Sequence, residues 1–458
     1  MDAELPDRLE PVDVLPLQLA RLLAAARSEA PNYRAQLRDL LLELTVRQAY
    51  DQCDYYQAVF PDTILKSFNA SELESLPILT REHLVAAGES IRSRFADFAF
   101  CSYTSGSTGE PLIIYRSLQE QLYLSDLFTL LHKKSGRRPQ LALSVASWHH
   151  GQKLELPPGD LIQFPVYLGN VSGYSTALTL LSKSYRVRAS DDFITIIAGS
   201  TNRIQQLARY LKTRPHDENC RMRIQTIATS GRPLTNDIRA ELKECWPKSL
   251  IQDSYSLTEM FGTANYCHQC GGYHFSDFVV PEVLALDSHE SISQGRGRLV
   301  LTALYPFTQM TPLIRYEPGD LVERSSNTCH SGLDRYLFLG RSSRYIRLPG
   351  GTFVSSVDIN DALTLLPGVS READPSPVPD ECKHSGTPPL FTIEFVKHPI
   401  LVVAVDCLNS LGSIELHGMR ETILKALASK APLTFDEALF EIQFVEREHF
   451  VDRAFGRL

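Results

Sequence analysis

Thr104, Ser105, Gly106, Ser107, Thr108 and Gly109 are six small residues in a row, and such a run leaves its backbone N–H groups open to an anion. The two glycines admit backbone conformations closed to other residues, and four hydroxyls add donors, a set that suits a polyphosphate better than a packed core. Standing alone, the run would be an ordinary Ser/Gly turn. It does not follow the Walker pattern, because no Gly-Lys-Ser/Thr closes it, and the chain has no GxGxxG after a strand.

Further along, LIQDSYSLTEM sets Asp253, Tyr255, Thr258 and Glu259 in what reads as a polar turn after a short apolar strand. Asp253 can accept from an exocyclic amine, Tyr255 offers a flat face to a base, and Glu259 is a hard oxygen ligand for Mg²⁺. The same residues would also suit a plain helix N-terminus, where acidic groups meet the dipole. Asp320 follows Pro318-Gly319, and a carboxylate fixed by such a turn can accept from two vicinal hydroxyls; Arg341, after Gly340, can donate to the same group.

A different chemistry is written in Cys267-His-Gln-Cys270-Gly-Gly-Tyr-His274, with Cys329 some way on. Cys-x2-Cys with a nearby His and a distant fourth ligand fits a closed tetrahedral Zn²⁺ site of structural kind, pinning two loops. His268 or His330 would serve in place of one of these, and ordinary reduced thiols in loops are the alternative. Trp148-His149-His150, beyond a strand end, is a weaker candidate for the border of a substrate pocket.

The elements that must position these residues follow from periodicity. Residues 14 to 50 carry leucines at helical spacing punctuated by Pro31, which predicts two amphipathic helices; Thr80 is placed to cap a helix ahead of the small-residue loop. Phe98 and Phe100 fall on one face of an alternating strand before the loop, and Leu112 to Tyr115 form a short apolar run after it. Ser117 and Glu120 then make a capping box for a helix closed by Gly136. Strands are expected at 141–145, 161–166 and 224–229, with helices near 173–182, 191–213 and 235–246 between or after them. The alternation points to α/β architecture with a largely parallel sheet and a ligand at the carboxyl ends of its strands. A Pro-rich segment precedes strands at 391–395 and 400–405, a helix at 418–427 and a last strand at 439–445, a small α+β unit.

Length and composition bound the answer. The chain has 458 residues, more than one ordinary domain, with 43% hydrophobic and 22% charged residues, as in soluble globular proteins. No apolar run approaches the roughly 18 residues that span a membrane, and the acidic N-terminus is no signal peptide. Nine cysteines without a secretion signal argue for reduced thiols and a cytoplasmic enzyme. A formal charge of −8 makes no case for nucleic acid.

The loop, the LTE turn, the PGD turn and the GR hinge, in this order and at these separations, resemble the adenylate-forming superfamily of acyl-CoA synthetases, peptide-synthetase adenylation domains and luciferases. LPILTREHL ahead of the loop, and Leu112 where most relatives carry lysine, are similar to its phenylacetate-CoA ligase branch. The match spans nearly the whole chain. The resemblance implies a large N-terminal α/β domain, 1–340, with mixed, largely parallel sheets, and a small mobile C-terminal α+β domain, 341–458, with a hinge near 341–344. It implies that Thr104 to Gly109 hold the β- and γ-phosphates of ATP, that Ser230, Gly231 and Arg232 line the adenine with Asp253 on its amine and Tyr255 stacked on it, that Thr258 contacts the α-phosphate, that Glu259 binds Mg²⁺, and that Asp320 and Arg341 hold the ribose.

The activity so implied is ATP-dependent activation of a small, aromatic carboxylic acid as its acyl-adenylate, with release of pyrophosphate. Transfer would follow to a thiol, CoA or the phosphopantetheine of a carrier protein. The chain departs from the family at three places: Ser343 stands where an aspartate is usual at the pivot, Ser256 replaces a glycine after the tyrosine, and Gly456-Arg457 aligns with the catalytic Gly-Lys. Arg457 keeps the charge on a planar fork in place of a compact ammonium. These departures leave open transfer to an amine, a carrier or another nucleophile, activation of a small inorganic acid, or nucleotide binding without catalysis.

Overall fold

The computed structural model describes residues 18, 22–23, 31–61, 68–103, 112–124, 140–145, 161–169, 171–187, 189–212, 218–232, 234–260, 264–326, 329, 332–348, 352–366, 369, 391–395, 399–405, 408, 411–430 and 440–446. The small-residue loop 104–109, Trp148 to His150, Gly136, His330 and Arg457 lie outside them.

Pro31 opens the helix Pro31–Gln52, the position where a missing N–H costs nothing. Thr80 caps Arg81–Ala87, accepting from the amide of His83, whose ring in turn bonds the Thr80 amide. Two strands then flank the small-residue loop: β1 (Phe98–Tyr103) and β2 (Ile113–Ser117) pair antiparallel, with Tyr103 opposite Ile113. The register slips between Phe98 and Phe100, so the expected shared face is broken: Phe100 is buried and Phe98 is 53% exposed. A bulge adds one residue, which undoes strict alternation.

Ser117 and Glu120 form the reciprocal capping box, with the Ser117 amide 2.6 Å from Glu120 Oε2 and the Glu120 amide 3.1 Å from Ser117 Oγ. β3 (Gln140–Val145) and β4 (Leu161–Val166) enter the main sheet, and β5 (Ser184–Val187) with β6 (Ser190–Phe193) makes a separate ribbon. The chain returns through β7 (Ile196–Ser200), β8 (Thr226–Ser230) and β9 (Leu250–Tyr255). The helix expected over 191–213 is confined to Thr201–Lys212. The run before it, DFITIIAG, is rich in β-branched residues, and these prefer the pleated, paired surface that β6 and β7 provide.

β10 (Ala264–Cys267) and β11 (Gly272–Phe275) form a hairpin, followed by β12 (Val279–Leu284), β13 (Gly295–Ala303), β14 (Asp320–Ser325) and β15 (Arg335–Arg341). Eleven strands join in the order β12-β13-β14-β15-β11-β10-β9-β8-β7-β3-β4. The fold is α/β and its sheet mixed: β4, β3, β7, β8 and β9 run parallel, and every further pairing is antiparallel.

Helices Val171–Ser182, Thr201–Lys212 and Asn236–Cys245 share a core with the parallel strands through residues such as Leu143, Ile197, Ile227, Leu207, Leu242 and Trp246. A second core joins helix Pro31–Gln52 to the antiparallel half. Within it Arg315, 2% exposed and at φ 51°, pairs with Glu282 and donates to the carbonyls of Glu74 and Leu76, fastening the Leu76–Leu79 segment under the sheet.

β16 (Tyr345–Arg347) pairs with β17 (Phe353–Ser355); β18 (Phe391–Phe395), β19 (Pro399–Val405) and β20 (Glu441–Glu446) form a three-stranded sheet beside helix Ser413–Ala428. These elements share a core of their own, including Ile346, Ile359, Val403 and Ile423. Arg296 of β13 ties the main sheet to it, bonding Asp358 at 2.7 Å, whose carboxylate completes the capping box that Ser355 opens on helix Ser356–Leu363. Among the described residues, no helix is long and apolar enough to cross a membrane.

Candidate functional site

At the carboxyl ends of the parallel strands, where open α/β sheets take ligands, β8 ends in Ser230 beside Ser254 of β9. Gly231 turns the chain at φ 81°, a conformation that favours glycine. Arg232 then donates to Asn202 at 2.9 Å, and Thr201 Oγ1 donates to the Ser230 carbonyl at 3.1 Å. Burial lowers the Arg232 pKa from its ordinary value, with Asp237 acting against it.

Asp253 and Tyr255 lie within β9 and not in the turn after it, a correction with a simple basis: β9 keeps its ladder to β8 up to Ser254, and residues two apart share a face. Asp253 is buried and accepts from Thr229 Oγ1 at 2.5 Å and from the phenol of Tyr273. Its burial raises the carboxyl pKa, and the hydroxyls of Thr229 and Tyr273 hold it back. Tyr255 stacks on Phe338 of β15, with ring centroids 3.9 Å apart and planes 18° apart, and its phenol donates to Asp320 Oδ2 at 2.6 Å. One ring face is therefore spent on Phe338.

Asp320 opens β14 directly opposite Arg341, the last residue of β15. Gly319, at φ 79°, makes the turn that presents it. Arg341 Nη1 donates to Asp320 Oδ1 at 3.0 Å, and Tyr255 holds the other oxygen. Burial raises the Asp320 pKa above 3.8, against the pull of Arg341 and the Tyr255 bond. Arg341 itself stays 57% exposed at its side chain, so the pair reaches solvent on one side.

Thr258 and Glu259 follow β9. Glu259 is buried and accepts from the phenol of Tyr316 at 2.9 Å. Burial, then the neighbouring carboxylate, raises the pKa of each of Tyr255, Tyr273 and Tyr316, so all three phenols remain donors at neutral pH. The turn itself is held from beneath by Arg116 of β2, wholly buried, whose guanidinium donates to the carbonyls of Thr258 at 3.1 Å and Glu259 at 2.7 Å.

Arg116, Tyr273, Tyr316 and Phe338 are absent from the sequence expectations. Arg116 alone left a local signal: a single cation inside the apolar run IIYRS, one residue before the helix cap. Tyr273 and Phe338 sit in ordinary strand patterns, and Tyr316 in the connection between β13 and β14, none of which marks what they face.

The cysteine motif also closes in space. Cys267, Cys270, His274 and Cys329 bring one ligand atom each to within 4.8 Å of one another. Cys267 ends β10, Cys270 lies in the hairpin turn, His274 is on β11, and Cys329 comes from the connection between β14 and β15. A separate cleft of about 250 Å³, lined in part by Arg34, Arg38, Asp277 and Asp334, shares no residue with the Asp253 to Arg341 cluster.

No protein-family model and no curated protein matches the chain. Among solved structures it is similar to a 2-hydroxyisobutyryl-CoA ligase in the postadenylation state in complex with 2-HIB-AMP, at 16% identity and a TM-score of 0.64 over 94% of each chain. An open conformation of that ligase, in complex with 2-HIB-AMP and CoA, gives 17% identity and 0.63, covering 91% of this chain and 89% of that one. ATP-bound MatB from Rhodopseudomonas palustris gives 14% and 0.50, covering 77% and 65%. Identities this low speak to the fold.

Proposed function

We propose that this chain, which has the fold of the adenylate-forming superfamily, uses ATP to activate a small carboxylic acid as its acyl-adenylate and passes the acyl group to a thiol such as that of CoA. The observation that carries this reading is the chain of bonds Tyr255–Asp320–Arg341, which starts where the parallel strand β9 ends, beside Glu259. It offers a ribose two carboxylate oxygens and a guanidinium, all already oriented.

In this reading the nucleotide lies along the ends of β8 and β9. Ser230 to Arg232 border the base, and Asp320 with Arg341 takes the ribose hydroxyls. Thr258 faces the α-phosphate, and Thr104 to Gly109, between β1 and β2, holds the β- and γ-phosphates. Glu259, a hard oxygen donor whose orientation Tyr316 sets, is the residue suited to Mg²⁺. Bound there, Mg²⁺ would neutralise charge growing on phosphate oxygens as the acid's carboxylate attacks the α-phosphorus and pyrophosphate departs. Asp253 braces the wall through Thr229 and Tyr273.

Residues 341–344 form the hinge between a large domain and a small one: the turn is tied back by the Ser342 amide to Gly319 at 2.8 Å and the Arg344 amide to Arg341 at 3.0 Å. The solved relatives named above are recorded with 2-HIB-AMP, CoA and ATP, which supports both half-reactions. An aromatic acid is the finer assignment. Arg457 favours a second reading, in which the activated group goes to an amine, a carrier protein or another nucleophile.

Acid-dependent exchange of pyrophosphate into ATP, over aromatic, aliphatic and amino acids, with and without CoA, tests all of this. Exchange with one acid establishes adenylation and names its class; consumption of CoA then chooses the thiol. Silence across the panel from folded protein removes the proposal.

A further inference from the structure

Strands β12 to β15 meet the rest of the sheet across a thin seam. β11 and β15 pair at a single position, Tyr273 opposite Tyr336, whereas β14 and β15 pair at six. The seam matters because the candidate site straddles it: Asp253 and Tyr255 stand on one side, Asp320 and Arg341 on the other. The four clustered ligands straddle it too, since Cys267, Cys270 and His274 belong to the β10–β11 hairpin and Cys329 to the loop entering β15.

All four ligand atoms lie within 4.8 Å of one another, and two of the distances between them match the edges of a tetrahedron around one ion. A Zn²⁺ with Zn–S of about 2.3 Å and Zn–N of about 2.0 Å has S–S edges of about 3.8 Å and S–N edges of about 3.5 Å. Cys267 Sγ lies 3.9 Å from Cys329 Sγ, and Cys270 Sγ lies 3.4 Å from His274 Nε2. The two sulfurs are far from the roughly 2.05 Å of a disulfide.

The histidine is already set for a metal. His274 Nδ1 lies 2.8 Å from the carbonyl oxygen of Asp334, and donating there leaves the Nε2 lone pair toward the sulfurs. Each cysteine turn is also closed locally. The Gly271 amide bonds the Cys267 carbonyl at 2.9 Å and the Gly332 amide bonds the Cys329 carbonyl at 3.0 Å, both glycines at φ 67°. At Gly272 a Cβ would meet Arg335 Cγ at 2.6 Å, so the starts of β11 and β15 are in close contact.

We infer that Cys267, Cys270, His274 and Cys329 bind one structural Zn²⁺ that clips the β10–β11 hairpin to the β14–β15 loop and so holds the two halves of the site in register. Four protein ligands leave no open position for catalysis. The second half of the inference rests on the proposed nucleotide site. Tyr273, which donates to Asp253, lies on the hairpin that is clipped, and Phe338, under Tyr255, lies on the strand it is clipped to.

The test is elemental analysis of untagged protein purified without chelators, with one zinc per chain expected. Cys329→Ser and Cys267→Ser should lose it, and Cys329→His should keep it. Because the serine variants are open to misfolding, Co²⁺ is exchanged into the wild type as well. The thiolate-to-cobalt charge-transfer band and strong d–d absorption of a tetrahedral site are expected. Wild-type protein that contains no zinc and gives no such spectrum overturns the inference, as does iron in place of zinc. Removing the zinc should weaken ATP binding about tenfold in calorimetry. ATP affinity unchanged on its removal would overturn the register role. Zinc-loaded protein that binds no ATP would instead overturn the nucleotide reading and leave the metal count standing.

Discussion

Asp320 is held by Tyr255 on one oxygen and Arg341 on the other, and in the proposed nucleotide site a ribose would be recognised by the lone pairs that remain. Asp320→Asn keeps the shape and removes the charge; loss of charge-assisted bonds worth about 1.5–3 kcal/mol is expected to raise the Kd for ATP by roughly 10- to 100-fold, read by calorimetry. The same residue sets a pH dependence. Its pKa is raised by burial, so as pH falls it takes up a proton earlier than an ordinary carboxyl at 3.8. ATP binding should therefore weaken before pH reaches that value, and Asp320→Asn should flatten that part of the profile. The sign for stability is opposite. A carboxyl whose folded pKa exceeds its unfolded one favours the fold when protonated, and that contribution fades as pH rises through the folded pKa. For Glu259→Gln, which retains an acceptor for Tyr316, pyrophosphate exchange should drop by about 10²-fold or more, with the melting temperature little changed. Exchange at the wild-type rate would exclude Glu259 from the machinery.

Between residues and the whole, two buried ionic groups carry the elements that carry the site. Glu120 is wholly buried and accepts from the amides of Ser117, Gln309 and Met310, so one carboxyl group joins the helix after β2 to the loop that leads toward Arg315. Ser117→Ala should cost about 1 kcal/mol, a lost cap, and Glu120→Ala about 3 kcal/mol or more, because three donors are orphaned; urea midpoints compare them. Arg315 poses the sharper test. Removing it leaves Glu282 buried without its partner, so Arg315→Ala should cost about 3–5 kcal/mol. Adding Glu282→Gln should recover part of that loss, and additive costs would show that the pair is not the source. These elements were legible from spacing: the capping box, the Thr80 cap, the strands around the small-residue loop and the helix after β8 all stand where periodicity put them. The helix expected over 191–213 shows the limit, since Ile and Thr at helical spacing serve a strand equally when a sheet edge is there to pair with.

For the molecule as a whole, the expected behaviour is that of a large and a small body joined at 341–344. Arg341 and Arg344 are exposed there, and ATP bound at Asp320 would cover Arg341. Limited trypsin digestion should cut at these arginines in the free protein and more slowly with ATP present; identical rates would count against both the hinge and the ribose assignment. The sequence alone determined which groups could do chemistry and where along the chain they fall: a run of small residues suited to an anion, a carboxylate behind a Pro-Gly turn, a Cys-x2-Cys motif with its histidine. It did so because glycine conformations, caps and ligand types are local properties. Only the tertiary structure decided what those groups touch. Asp253 spends its oxygens on Thr229 and Tyr273, Tyr255 spends a face on Phe338, and Arg116 props the Glu259 turn from a strand more than 140 residues earlier. Strand order creates those pairs, placing β15 beside β11 and β9 between β8 and β10. Sheet pairing is long-range, and no spacing along the chain records it.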